Sequence, residues 1–150
     1  MSDRVGLTQR EAAAWGELRA VVDRMTPEQR EAPTATDEGW SVKDVVWHIA
    51  HWWDDLSRML EELTERGSFD EPSEDDAVTD AVNEQTLAIS RSMGLAEVEA
   101  GVEKARLRLL RSWAAVPEVT ESAAQWFVWE TIEHCEEHLP HVRRAATAPS

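Results

Sequence analysis

The sequence predicts an all-α protein, a single helical bundle, and three observations carry that reading. Apolar residues recur at intervals of three and four along each long segment, the spacing of one helix face. Helix starts and stops punctuate those segments, as at Thr26-Pro27, Ser41 and Gly67. No segment alternates apolar and polar residues with β-branched enrichment, so no sheet is expected. A length of 150 residues suits one compact domain, 1–150, able to bury a core.

Taken in order, Thr8-Gln9-Arg10-Glu11 reads as a capping box that starts the first helix, with Trp15, Leu18, Val22 and Met25 inward. Thr26 followed by Pro27 marks a short connector helix, closed before Pro33. A loop over 34–39 leads to the most informative stretch of the chain, 39–53. Gly39 gives backbone freedom, Ser41 caps, and Asp44 three residues on can close the box. Val42, Val45, Ile49, Trp52, Leu56, Met59 and Leu63 then form one face of a long helix over 41–65, stopped at Gly67.

The acidic, turn-rich run 67–76 reads as a mobile connection. A shorter helix follows over 77–92, then another carrying Val98, Val102, Ala105, Leu109 and Trp113 inward, stopped by Pro117. The last helix spans 122–144, with Val128, Ile132, Cys135, Leu139 and Val142 as its stripe and Arg143 and Arg144 at the negative end of its dipole. Pro140 has no N–H for the carbonyl of Glu136, so a kink or local opening just after His138 is expected. The tail 145–150 is expected to fray.

Composition narrows the function. With 15 Lys+Arg against 30 Asp+Glu the formal net charge is -15, which repels a phosphate backbone and an anionic membrane alike. The expectation is therefore no nucleic acid and no membrane partner. A single cysteine, Cys135, allows no internal disulfide, and it falls on an apolar stripe as a small core residue. The first residues lack a signal-like apolar run and no segment is long enough to span a membrane, so a cytoplasmic protein is expected. Aromatic usage is skewed to 8 Trp, 2 Phe and no Tyr, too many indoles for all to be central.

The histidines carry the chemistry. On the long helix His48 sits about 70° from the centre of the apolar face and His51 about 130° away, so His48 leans inward and His51 faces water. On the last helix Glu130, His134, His138 and His141 follow one another by four, four and three, along one side. His134 and His138 can hold one metal from a single helix, and His48 is the candidate third ligand. Three neutral imidazoles suit Zn²⁺, Ni²⁺ or Fe²⁺ and leave a position open for water or substrate. A histidine pair at this spacing is equally the mark of a solvated helix face, and His48 of a satisfied core histidine. Glu130 can be an acceptor for a ligand, a fourth ligand, a general base or a solvated glutamate. Glu133, Glu136 and Glu137 read as solvation. Trp47, Trp52, Trp126 and Trp129 flank the histidine segments and can form an aromatic wall for an apolar substrate, although indoles at helical spacing also build cores.

The run Gly39-Trp40-Ser41-Val42-Lys43-Asp44 with His48 resembles the second-helix signature of the DinB/YfiT-like metalloenzyme superfamily. Residues 131–140, with His134 and His138, resemble the last-helix signature of its branch of DfsB-like and colibactin self-protection proteins. The superfamily also holds mycothiol-dependent maleylpyruvate isomerases, bacillithiol transferases and damage-inducible DinB proteins. The resemblance implies a DinB-like four-helix bundle of up-down-down-up topology and a three-histidine metal site at His48, His134 and His138. It also implies thiol transfer, isomerisation or hydrolysis of a reactive electrophile, with a low-molecular-weight thiol as co-substrate where a thiol is transferred. An aromatic residue is usual in that branch where this chain has Cys135. Two other readings stay open: a protein that sequesters a small hydrophobic or cationic molecule in a Trp-rich pocket, and a helical module that forms a homodimer.

Overall fold

The computed structural model describes residues 3–149. Among them are seven α-helices and one π-helical stretch, with no strand. In chain order these are α1 (Arg4–Asp23), α2 (Pro27–Glu31), α3 (Val42–Arg66), α4 (Asp76–Ser92), α5 (Leu95–Ala115) and α6 (Glu121–Phe127). The π-helical turn Val128–Glu133 and α7 (His134–Thr147) complete the last rod. No described helix is long and apolar enough to cross a membrane.

Side-chain pairs fix the relative directions. Arg4 donates to the carbonyls of Ala114 and Val116, Trp113 donates to Thr8 Oγ1 at 2.9 Å, and Glu11 pairs with Arg106. As α1 ascends, α5 therefore descends. Trp47 packs on Gly101, while Asp54 and Glu61 pair with Arg108, so α3 runs parallel to α5. Cys135 lies close enough to Glu11 to feel its charge and Arg143 pairs with Glu17, so α7 runs parallel to α1. The four rods are thus up, down, down, up. Parallel neighbours joined in sequence need a return leg, and α4 supplies it. Asn83 meets Trp52, Ser90 meets Asp44 and the Met93 carbonyl meets Lys43, laying α4 antiparallel along α3.

The core is held by large apolar side chains, each contributing about 1.5–3 kcal/mol by burial. Trp113 and Phe127 stack with centroids 4.0 Å apart and planes 11° apart, and Trp15 meets Trp53 edge-on at 4.9 Å. Trp53, fully buried, takes the inward position that the spacing assigns to Trp52, which is half-buried. A 25-residue helix covers more than one neighbour, and α3 must serve α4, α5 and α7 at once, so its buried face widens by a residue.

Both capping boxes at Thr26 and Ser41 form. Ser41 Oγ accepts from the Asp44 N–H at 3.1 Å, and Asp44 Oδ2 accepts from the Ser41 N–H at 2.9 Å. Gly67 closes α3 in the left-handed conformation, φ 78°. The box expected at Thr8 does not form. The helix begins at Arg4, Thr8 lies inside it, and Glu11 is 1% exposed in a bidentate pair with Arg106 at 3.0–3.1 Å. A tertiary ion pair has claimed the carboxylate that a box would use. At the other end α7 continues to Thr147 rather than fraying at 145; Ser150 lies outside the described residues.

Candidate metal centre

α3 and α7 cross where His48, His134 and His138 stand, at 7%, 9% and 8% exposure. One nitrogen from each can be chosen so that all three lie within 4.8 Å of one another. Nε2 of His48 and Nε2 of His134 are 3.0 Å apart, and the three rings meet edge-to-face at centroid distances of 4.8–4.9 Å. Two imidazole nitrogens bound tetrahedrally about 2.0–2.1 Å from one zinc ion lie about 3.3 Å apart, so the spacing suits a shared ion.

The electrostatics suit it too. Burial lowers the pKa of His48 to about 3, helped by His134, His51 and His141. It lowers His134 to about 4, with the nearby Glu130 carbonyl acting the other way, and His138 to about 2, helped by His134, His48 and His141. All three rings are therefore neutral at pH 7, the form that binds metal. Nδ1 of His48 and Nδ1 of His134 are buried without a hydrogen-bond partner, whereas His138 Nδ1 lies 3.1 Å from His141 Nδ1 and keeps Nε2 free. An ion would sit on the Nε2 side, where three neutral, buried imidazoles from two helices come together, and that donor set fits a divalent transition metal.

The backbone approach to this site is irregular. α7 continues through Pro140, and a departure from α geometry lies upstream, at Val128–Glu133. Thr131, fully buried, donates its hydroxyl to the Phe127 carbonyl at 2.5 Å, the acceptor its own N–H would use. The His134 N–H in turn bonds to the carbonyls of Trp129 and Thr131, skipping Glu130. Such π turns recur at functional sites, where they re-aim side chains.

A cavity of about 320 Å³ opens onto His48 and His134, lined also by Trp52, Trp126, Trp129 and Glu130. The sequence placed these four beside the histidines and the structure brings them together. Trp47 departs from that set, because its ring lies against Gly101 in a separate groove between α3 and α5. Glu137 lines the cavity rather than serving solvation alone, and His141 is half-buried against His138. Burial pushes the Glu130 carboxyl up to about 8, with Asp55 and Glu137 adding to it, and Glu130 Oε2 has no partner. Burial holds the Cys135 thiol up at about 12, which makes it a core residue and no nucleophile.

Sequence reasoning missed the far wall. Pro72, Ser73 and Glu74 come from the acidic, turn-rich connection, whose composition gives no sign of where it lies, and Thr79 and Asn83 from α4. It also missed Trp40, which meets His48 edge-on at 5.4 Å and lines a second groove with His138, His141 and Arg91. Its position one residue before the Ser41 cap was the available signal.

Comparison with known families settles the ancestry of this arrangement. The model of the family described as the mycothiol maleylpyruvate isomerase N-terminal domain matches residues 12–146. The chain belongs to that family. It is a DinB-like helical domain, and the match takes in both histidine-bearing segments. No curated protein and no solved structure matches the chain.

Proposed function

We propose that the chain is a metal-dependent enzyme that acts on a small reactive electrophile, as a thiol transferase or a hydrolase, in detoxification or self-resistance. The observation that carries this is the meeting of three neutral, buried imidazoles from α3 and α7 beside an indole-lined cavity. His48, His134 and His138 are the ligands of a divalent ion (zinc, nickel or iron), which would supply Lewis acidity. Glu130, whose carboxyl burial raises to about 8, is the general acid that delivers a proton to the leaving group. Trp52, Trp126 and Trp129 exclude water and position the apolar part of the substrate.

The last-helix motif supports a place in the DfsB-like branch, with Cys135 as the departure. One free cysteine and the net charge of -15 support a cytoplasmic protein without nucleic-acid or membrane partners, as a monomer or a homodimer.

Styrene oxide offered with and without L-cysteine to the zinc-loaded, untagged protein tests this reading. Thioether formation marks a transferase and diol formation a hydrolase, and either should vanish on chelation and in His138→Ala. Trp quenching by the epoxide with neither product would favour the sequestering protein that the indole wall also suits. Turnover that survives both chelation and His138→Ala would overturn the metal assignment.

A further inference from the structure

We propose that the cavity beside the histidines selects a positively charged organic group, an ammonium carried on a flat apolar body, in preference to a carboxylate. This rests on the reading of that cavity as the substrate site. Its walls are three indoles and three acidic side chains, the carboxylates of Glu74 and Glu137 and the carboxyl of Glu130, and no Lys or Arg is among the described residues that line it. Glu74 and Glu137 are exposed at the rim, while Glu130 lies deeper with Oε2 unpaired.

Two of the three indole donors are already engaged. Trp52 Nε1 donates to Asn83 Oδ1 at 3.1 Å, and Trp126 Nε1 donates to Glu71 Oε1 at 3.3 Å. What these rings offer an occupant is their π surface, which attracts cations, and Glu71 adds another negative group behind Trp126. Trp126 and Trp129 meet at 90° with centroids 5.1 Å apart, two walls of a corner. Neighbouring cations are spent: Arg58 pairs with Asp55 and Glu62, and Arg66 with Glu62. A divalent ion on three neutral imidazoles adds two positive charges, and the carboxylates of Glu71, Glu74 and Glu137 exceed them by one without Glu130, so the balance remains negative with the site loaded. The groove on the other flank of the cluster does hold a guanidinium, Arg91, which sets the two sides apart.

Trp fluorescence titrations of the full-length, untagged protein, zinc-loaded and chelated, test this with three probes of equal ring size. These are benzyltrimethylammonium, benzyl alcohol and benzoate. The ammonium should bind at least tenfold more tightly than benzoate, with the alcohol between them. The double variant Glu74→Gln/Glu137→Gln should weaken the ammonium at least threefold and leave the alcohol unchanged. Trp129→Leu should weaken the ammonium and the alcohol together. Benzoate binding as tightly as the ammonium, an ammonium affinity indifferent to the double variant, or no quenching by any probe would each overturn the proposal. Ammonium preference in a protein that takes up no zinc would sink the metal reading alone. Zinc uptake with benzoate preferred would sink this one alone.

Discussion

Glu11 and His48 are both polar side chains shut inside the same bundle, and their surroundings differ completely. Glu11, on α1, is locked to Arg106 by two hydrogen bonds of 3.0–3.1 Å. Burial raises its pKa and the guanidinium opposes that rise. His48, on α3, faces two other imidazoles, has an unpaired Nδ1 and meets no countercharge. The first arrangement is self-sufficient and welds α1 to α5. The second buries three imidazoles with no countercharge and leaves Nδ1 of His48 and of His134 unpaired, a cost without structural return. Two buried polar sites in one core thus separate into scaffold and function by whether their hydrogen bonds are complete.

Four outcomes would sharpen or break this contrast. The largest is in metal affinity: His138→Ala should lose at least a thousandfold in zinc binding by calorimetry, while its far-ultraviolet circular dichroism stays helical. Next, Arg106→Ala should cost about 3–5 kcal/mol in urea unfolding, because it strands a buried carboxylate. His138→Ala in the metal-free protein should cost far less. If the two variants destabilise equally, the histidines are scaffold after all.

Third, zinc at a hundred times its dissociation constant should stabilise the native protein by about 2.7 kcal/mol and leave His138→Ala unmoved in a thermal melt. Fourth is the pH response of the metal-free protein. These histidines titrate at 6.5 when unfolded and at about 2–4 when folded. Above pH 6.5 both states are neutral and contribute no difference. Below it only the unfolded chain takes up protons, so stability falls with decreasing pH, by up to about 1.4 kcal/mol per pH unit per histidine. Denaturant midpoints between pH 7 and 5 should show that slope, and His48→Ala should flatten it.

Local chemistry was legible in the sequence and long-range geometry less so. Ser41 with Asp44, Thr26 with Pro27, and Gly67 mark their helix ends because capping is decided within four residues. His48, His134 and His138 were legible because helical periodicity places each at the edge of an apolar stripe. Thr8 misled because Glu11 is claimed by a residue 95 positions away. Trp52 and Trp53 exchanged roles because α3 packs against several partners at once. The π turn depends on where the buried Thr131 hydroxyl points, and the crossover wall on the fold of an irregular segment, and neither leaves a periodic trace.

The most direct test of the central claim is anomalous diffraction at the absorption edge of the metal, from crystals of untagged protein grown with one equivalent of zinc. The account expects a single strong peak about 2.0–2.1 Å from one nitrogen each of His48, His134 and His138. A peak elsewhere on the chain, or rings of His48 and His138 turned away from each other with no peak between them, would contradict it.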